Sequence, residues 1–383
     1  MKEVYLDNSS TTKALDEVIE AMVNALKVCY GNPSSLHRKG IEAEKIVLDA
    51  REKIAKALQV KPSEIYFTSG GTESNNLAIK GVAYAKRKQG NHLITSQIEH
   101  PSVLEVFKQL ENEGFKVTYI PVDKEGHVDL EQLEKSITPE TILVSIMYVN
   151  NEVGSIQPME EIVKIVSRHE NITLHVDAVQ AFGKIPLLPS LKGIDLLSIS
   201  AHKIYGPKGI GALFIREKTK IVPLFNGGGQ EKGIRPGTEN VPGIAGFSAA
   251  VEVVFKNFEE WTLRMRNLKN HLRNRILTEI DGTVLNGPKD GAPHILNISF
   301  LGVKSEVLLH TLEVHGIYVS SGSACLSKKG QKSHVLLAMK KKDEEIDGAI
   351  RFSLSPFLTF EDIDYTVEVL KKEVAQLRKY AGR

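Results

Sequence analysis

The stretch that decides the fold reads Asp195-Leu196-Leu197-Ser198-Ile199-Ser200-Ala201-His202-Lys203-Ile204-Tyr205-Gly206-Pro207-Lys208-Gly209. It begins as a short apolar run, which is typical of a strand covered on both faces, and it ends in a turn that contains glycine and proline. Lys203 therefore follows a strand end, with the hydroxyl of Ser200 and the imidazole of His202 beside it. Taken alone, this pattern favours a surface lysine after a buried strand, so its meaning depends on the rest of the chain.

Strand-like and helix-like segments alternate around this stretch. Strands are predicted at residues 64–69, 91–96, 116–121, 141–148, 172–177, 196–200 and 211–215. Helical patterns at 74–88, 102–113 and 159–168 lie between them, and amphipathic helices at 15–28 and 41–58 precede them. This alternation predicts a mostly parallel, doubly wound α/β sheet.

A second region is expected because 383 residues are too many for one ordinary core. After the glycine cluster at 227–229, the pattern predicts a long helix at 255–280, strands at 295–300, 317–320 and 349–353, and a final helix at 361–380. We expect a large α/β domain over 15–256 and a small α+β domain over 257–383. An N-terminal arm, residues 1–14, is grouped with the small domain.

Composition and charge narrow the class of protein. Lys and Arg total 49 against 47 Asp and Glu, a net charge of +2, so the balance predicts no nucleic-acid partner. No apolar run approaches the roughly 20 residues of a membrane span, and the first residues lack the apolar core of a signal peptide. Cys29 and Cys325 lie nearly 300 positions apart, which is poor material for a disulfide framework. We therefore expect a cytoplasmic protein without a membrane partner, and no metal site is predicted.

Other predicted strands also end in polar groups. Gly71 and Thr72 open a helix after a strand, where free backbone N–H groups and the helix dipole suit a phosphate, although an ordinary helix cap is the commoner meaning. Asp177 ends a further strand and could pair with a protonated pyridine nitrogen, but a capping aspartate explains it equally well. His100 could stack on a flat ring, whereas a lone histidine is more often a cap or a core residue. Asn151 offers an amide after another strand.

Five strand ends with different polar groups are hard to attribute to chance together. Their joint interpretation is a site for a flat, phosphorylated cofactor with a ring nitrogen, bound covalently to Lys203. Gln180, three residues after the aspartate, could donate a hydrogen bond to the same ring.

With these motifs in view, the chain resembles the cysteine desulfurases of the NifS/IscS type. These are pyridoxal-phosphate enzymes of aminotransferase class V with fold type I. The resemblance runs from Tyr5-Leu6-Asp7-Asn8 to the final helix, and its most specific strings are residues 31–37, 68–76, 175–180, 200–209, 235–240 and 320–325. The N-terminal signature departs slightly, with Ser9 and Ser10 where two alanines are usual, and we expect this to matter little.

The resemblance implies pyridoxal 5′-phosphate as cofactor, with Lys203 binding it and moving the α-proton of the substrate. Asp177 would pair with the pyridine nitrogen, and His100 would stack over the ring and assist proton transfer. Asn151 and Gln180 would address the phenolic oxygen. The residues expected at the phosphate are Gly71, Thr72, Ser200, His202 and, from the other subunit of a homodimer, Thr238.

The substrate and sulfur sites are implied in the same way. Arg351 would clamp the carboxylate of L-cysteine in bidentate fashion, with help from Asn32. The thiolate of Cys325 would take the sulfur as a persulfide and leave alanine, and the sulfur would pass to an iron–sulfur scaffold or another acceptor protein. Without the resemblance, Cys325 would be interpreted as a chance exposed thiol. Cys29 is interpreted as structural.

Alternatives differ in how much of the sequence they explain. A serine hydrolase would use Ser200-x-x-Lys203 but needs S-D-N and K-T-G strings, and neither occurs. A nicotinamide-dependent oxidoreductase is disfavoured because the glycines at 206, 209 and 211 have the wrong spacing and precede a strand. Selenocysteine lyase, transaminase or another class V lyase stays open, since all but Cys325 and its surroundings fit these activities.

Overall fold

The computed structural model describes residues 2–321 and 332–381. The strands are β1 Val4–Tyr5, β2 Ile65–Thr68, β3 His92–Ser96, β4 Lys116–Ile120, β5 Thr141–Met147, β6 Thr173–Asp177, β7 Leu196–Ser200, β8 Gly211–Ile215, β9 Thr283–Asn286, β10 Ile295–Phe300, β11 Ile317–Tyr318, β12 Ser320–Ser321 and β13 Ala349–Ser353. The α-helices are α1 Asp16–Lys27, α2 Arg38–Leu58, α3 Gly71–Lys86, α4 Pro101–Asn112, α5 Leu130–Ser136, α6 Met159–Val166, α7 Val241–Lys256, α8 Phe258–Glu279, α9 Ser305–Val314, α10 His334–Ala338, α11 Asp343–Asp347 and α12 Phe360–Ala381.

A seven-stranded sheet forms the centre of the larger part of the chain. Its order is β2-β8-β7-β6-β5-β3-β4, and only β8 runs against its neighbours. Every residue of β3 and of β5 to β8 is buried, because helices such as α3 cover strands that are apolar on both faces. The predicted α/β fold with a mostly parallel sheet is confirmed.

The C-terminal part is built on a four-stranded antiparallel sheet, in the order β12-β13-β10-β9. Helices α8, α9 and α12 pack beside it. The N-terminal arm joins this part of the molecule, since β1 pairs in parallel with β11. Val4 and Leu6 are fully buried in the same apolar cluster as Leu268, Ile298 and Phe352.

The long helix expected at 255–280 is present as α8, Phe258–Glu279, but the sequence did not reveal α7, the helix that precedes it. Two helices, α7 and α8, meet at Asn257, whose backbone has φ −107° and ψ 12°. The side-chain amide of Asn257 donates to the oxygen of Val253, a local bond that competes with continuation of the helix. Helix α7 was missed because its first turn contains Pro242 and Gly243, although Asn240 caps it by accepting from Gly243 N.

The sequence patterns also failed to predict some of the short strands. β1 contains two residues, too few to show periodicity, and β9 was also missed. The strand predicted at 317–320 is divided into two short strands, β11 and β12. Within residues 2–321 and 332–381, no helix has both the length and the apolar character needed to cross a membrane.

Candidate active site

A cavity of about 300 Å³ lies at the carboxyl ends of the central strands, where open α/β sheets bind ligands. Parallel strands bring their ends to one edge, so side chains that are distant in sequence meet here. The residues predicted from the sequence that line the cavity are Gly71, Thr72, His100, Asn151, Asp177, Gln180, Ser200, His202, Lys203 and Arg351. Further lining residues that the sequence did not single out include Ser9, Ser10, Asn75, Ser102, Glu152 and His334.

The turn after β7 directs Lys203 into the cavity. Its Nζ donates to the main-chain oxygens of Ser9 and Ser10, at 2.6 Å each. The turn is tight: Tyr205 has φ +66°, and a Cβ on Gly206 would lie 2.8 Å from the oxygen of Ala201. Glycine is therefore required at position 206, and the N-terminal arm contacts the amine that sequence analysis placed at the centre of the site.

One end of the cavity suits a phosphate. Gly71 is the first residue of α3, a helix of 16 residues whose first N–H groups have no partners within the helix. A Cβ on Gly71 would lie 2.7 Å from Val179 Cγ2, so only glycine leaves the backbone open. Within the described ranges, Ser200 Oγ is buried without a hydrogen-bond partner. An unsatisfied hydroxyl beside a helix N-terminus fits a phosphate group.

His202 borders the same end of the cavity. Its Nδ1 lies 3.2 Å from Thr11 Oγ1. Burial, together with the positive charges of Lys203 and Lys208, lowers the pKa of His202 to about 4. The imidazole is therefore neutral at pH 7 and able to donate one ring N–H to an anion.

Asp177 and His100 belong to one hydrogen-bond network. Asn75 Nδ2 donates to Asp177 Oδ2 at 2.8 Å and to Ser102 Oγ at 2.9 Å. Ser102 Oγ lies 2.8 Å from His100 Nδ1, and the backbone N–H of Ser102 donates to the same nitrogen. The other oxygen of Asp177 accepts from the N–H of Val179. His100 therefore caps α4, as the simpler interpretation held, whereas Asp177 is followed by a turn and not by a helix, and its carboxylate accepts within that turn. Both residues line the cavity.

The protonation of His100 follows from these contacts. Burial lowers its pKa, while the charge of Asp177 opposes that shift and Lys203 reinforces it. Because Nδ1 accepts a backbone hydrogen bond, the proton of the neutral ring lies on Nε2. His100 can then donate from Nε2 toward the cavity.

Gln180 is oriented by neighbours from two other segments. Its Nε2 donates to the oxygen of Ser9 at 2.9 Å, and its Oε1 lies 3.3 Å from His294 Nε2. Because the amide oxygen only accepts, His294 donates from Nε2. Burial lowers the pKa of His294 well below its ordinary value, consistent with this neutral form.

Arg351 enters the cavity from β13, in the C-terminal part of the chain. Its Nη2 donates to Asp7 Oδ1 at 2.8 Å and to Ser10 Oγ at 2.7 Å. Its Nη1 donates to the oxygen of Asn151 at 3.0 Å. Arg351, which the resemblance predicts to bind a carboxylate, thus lines the cavity, and it forms an ion pair with a carboxylate of the protein itself.

Two predicted residues, Asn32 and Thr238, do not line this cavity in the described part of the chain. Both residues are exposed. Asn32 Oδ1 instead accepts from the N–H of Ser34. Cys325 lies outside the described residues.

Glu152 and His334 are lining residues without a predicted role. Burial raises the pKa of Glu152 to about 7, and Ser333 Oγ donates to its Oε2 at 2.5 Å. His334 Nε2 donates to the main-chain oxygen of Glu99 at 2.9 Å, next to His100. Glu152 directly follows Asn151, so its place in the motif was a usable signal. No signal in the sequence pointed to His334, because a tertiary contact brings it to the site.

The profile of the family described as Aminotransferase class-V matches residues 4–366. The chain belongs to this family. A relative, "Cysteine desulfurase IscS" of Dictyoglomus turgidum, is 48% identical over 378 residues, which is 98% of this chain and 96% of the relative. The protein of the same name from Methanosarcina thermophila is 47% identical over 98% of this chain and 93% of its own length.

Solved structures agree with these sequence matches. A structure named "NIFS-LIKE PROTEIN" superposes with a TM-score of 0.92 and 43% identity, covering 98% of this chain and 100% of that one. A structure of SspA in complex with cysteine superposes with a TM-score of 0.83 and 36% identity, covering 93% of this chain and 100% of the other. The family inferred from the sequence motifs is confirmed.

Proposed function

We propose that this protein is a pyridoxal-phosphate-dependent cysteine desulfurase, which converts L-cysteine to L-alanine and transfers the sulfur to Cys325 as a persulfide. The observation that carries the proposal is one cavity that unites the amine of Lys203, the carboxylate of Asp177 and the guanidinium of Arg351. The class-V relatives named cysteine desulfurase, and the relative solved with cysteine, support the choice of substrate.

The cofactor is pyridoxal 5′-phosphate. Its phosphate would be held at the N-terminus of α3, by the residues Gly71, Thr72, Ser200 and His202. Asp177 would pair with the pyridine nitrogen, His100 would lie over the ring, and Asn151 and Gln180 would address the phenolic oxygen. When bound, the cofactor supplies an electron-withdrawing ring that stabilises negative charge on the α-carbon of the substrate.

The protein's own residues would bind the substrate and move its protons. Arg351 would bind the α-carboxylate, because among the described residues it is the arginine that lines the cavity. Lys203 Nζ would take the α-proton and return a proton to the product. His100 would donate from Nε2, which its contacts with Ser102 leave protonated and directed away from the capped backbone.

Sulfur transfer would be a nucleophilic displacement by Cys325. Its thiolate attacks the sulfur of the bound cysteine, so that a sulfur–sulfur bond forms as the carbon–sulfur bond breaks. The electron pair of the broken bond stays on the substrate β-carbon, which takes a proton and becomes the methyl group of alanine. The sulfur then passes to an acceptor protein, for which we propose an iron–sulfur cluster scaffold in the cytoplasm.

We also propose a homodimer, because apolar side chains are exposed on neighbouring segments. Those on α1, α2 and the segment between them are Ile19, Val23, Leu26, Val28, Tyr30, Leu36, Ile41 and Leu48. Leu36 is 96% exposed, and Asn32 lies in the same segment. In a dimer, Asn32 would assist Arg351, and Thr238 would complete the phosphate site of the partner.

The division into domains is proposed on similar grounds. The large domain spans 15–256, and the small domain spans 257–383 together with the arm 1–14. The break at Asn257 and the apolar cluster shared by Val4 and Leu268 support this division.

The decisive test compares Cys325→Ala with Cys29→Ala. With L-cysteine as substrate, Cys325→Ala is expected to keep the absorbance of the bound cofactor and to lose alanine production and sulfur transfer. Cys29→Ala should retain both, since Cys29 does not line the described cavity. Undiminished release of sulfide and alanine by Cys325→Ala would indicate a class-V lyase instead, and a shift of preference to selenocysteine would indicate selenocysteine lyase.

A further inference from the structure

The ion pair between Arg351 and Asp7 occupies the part of the guanidinium that a substrate needs. Nη2 carries two hydrogens, and its two acceptors are Asp7 Oδ1 and Ser10 Oγ. Ser10 Oγ in turn donates to Asp7 Oδ1 at 2.8 Å, which closes a triangle of hydrogen bonds. Nη1 is also engaged, by the main-chain oxygen of Asn151.

The geometry of the guanidinium group explains why these hydrogen bonds of Arg351 matter for substrate binding. A carboxylate can bind a guanidinium in bidentate fashion along the Nε–Nη2 edge or the Nη1–Nη2 edge, and the third side is blocked by Cδ. Both usable edges need a hydrogen of Nη2. Within the described residues, Arg351 Nε is buried without a hydrogen-bond partner, so it can donate to a carboxylate on the Nε–Nη2 edge. A bidentate substrate must therefore displace a ligand of Nη2.

Asp7 is the ligand that can leave. Its side chain is 22% exposed, whereas that of Arg351 is 6% exposed, so the carboxylate can turn toward water while the guanidinium stays buried. The backbone beside Asp7 is held in place by a bridge to Ser353 and by Asn8, whose Nδ2 donates to the oxygen of Ser353. Displacement then requires rotation of one side chain and no movement of the arm.

We infer that Asp7 is an internal counter-ion of Arg351, which the α-carboxylate of the substrate displaces, and that this exchange weakens the binding of amino acids that carry an α-carboxylate. The inference rests on the proposed function, because it takes Arg351 as the receptor of that carboxylate. Asp7 acts through Arg351 and is a positioning residue.

The charges at the site determine whether removal of the Asp7 carboxylate tightens or weakens substrate binding. With Asp7 in place, an incoming carboxylate replaces one ion pair by another and also approaches a like charge. With a neutral residue at position 7, the same carboxylate neutralises a buried guanidinium that would otherwise lack a charged partner. Removing the charge should therefore tighten the binding of substrate and product.

The experiment titrates the holoenzyme with L-alanine and with cysteamine, which lacks a carboxylate, and follows the absorbance of the cofactor. Asp7→Asn is expected to lower the dissociation constant of L-alanine by about three- to fivefold, the upper part of the range of a solvent-exposed ion pair, and to leave that of cysteamine within about twofold. Asp7→Glu, which keeps the charge, should bind L-alanine like the wild type. Ser10→Ala frees a hydrogen of Nη2 without a change of charge and should tighten L-alanine binding by about twofold.

Asp364→Asn is the matched control. It removes the same charge from an ion pair with Arg275 that lies away from the cavity, and it should leave both dissociation constants unchanged. Weaker or unchanged binding of L-alanine by Asp7→Asn, or equal tightening for cysteamine, would overturn the inference. A wild type whose absorbance responds to no amino acid, L-cysteine included, would contradict the proposed function instead.

Discussion

Asn75 Nδ2 lies 2.8 Å from Asp177 Oδ2. The same amide donates to Ser102 Oγ, which contacts His100 Nδ1. One buried amide on α3 therefore orients both the carboxylate expected at the cofactor nitrogen and the imidazole expected over its ring. Such supporting contacts hold the groups that touch a ligand in a single orientation.

Replacing Asn75 should therefore weaken cofactor binding. In Asn75→Ala, the Asp177 carboxylate loses a charge-assisted hydrogen bond in a buried setting, and we expect affinity for pyridoxal phosphate to fall by about tenfold or more. Titration of cofactor-free protein, followed by absorbance, measures this change. Asn76→Ala is the control, because the Asn76 amide donates to Thr72 O within its own helix. Equal affinities in the two variants would show that Asn75 does not orient the site.

The covalent attachment of the cofactor distinguishes Lys203 from a second candidate amine. Burial lowers the pKa of Lys184 to about 7, which would make its amine reactive if it were reachable. However, Lys184 is 3% exposed and its Nζ lies 3.1 Å from the hydroxyl of Tyr205. Borohydride reduction of the holoenzyme, followed by peptide mapping, should place the label on Lys203. A label on Lys184, or a protein that stays colourless with pyridoxal phosphate, would refute the assignment.

The buried carboxyl group of Glu99 should make the stability of the protein depend on pH. Burial raises its pKa to about 8, although Ser96 Oγ and the N–H of Met147 donate to its Oε1. The folded state thus keeps a proton that the unfolded state loses near pH 4.5. The contribution of Glu99 to the free energy of unfolding is therefore complete below about pH 4.5, decreases as pH rises, and is lost above about pH 8.

The measurement is the thermal midpoint, Tm, of wild type and Glu99→Gln between pH 5 and 9. Glu99→Gln cannot ionise, so its Tm should fall less steeply with pH than that of the wild type. Glu105→Gln, at an exposed position of α4, should follow the wild type. Parallel Tm curves for wild type and Glu99→Gln would mean that Glu99 is already ionised in the folded protein.

The sequence was sufficient to predict the central sheet and most of the cavity. Apolar strands followed by polar residues locate His100, Asp177 and Lys203 at carboxyl ends, and parallel strands bring those ends to one edge. Ser9 and Ser10 could not be found in this way. They contact Lys203 through main-chain oxygens, which every residue type provides, so their identity carries little information.

Other contacts depend on tertiary structure or on a second chain. His334 reaches the cavity because its ring donates to the oxygen of Glu99, more than 200 positions away. The pairing of Asp7 with Arg351 spans 344 positions and joins the arm to β13. The roles of Asn32 and Thr238 stay predictions, because a dimer would be needed to bring them to a cavity.

The central claim is that sulfur moves from L-cysteine to Cys325. The most direct measurement is mass spectrometry of the alkylated peptide that contains Cys325, after the holoenzyme reacts with L-cysteine in the absence of reductant. We predict a mass increase of one sulfur atom on Cys325, and none on the peptide that contains Cys29. An unmodified Cys325 in enzyme that has formed alanine would contradict the account.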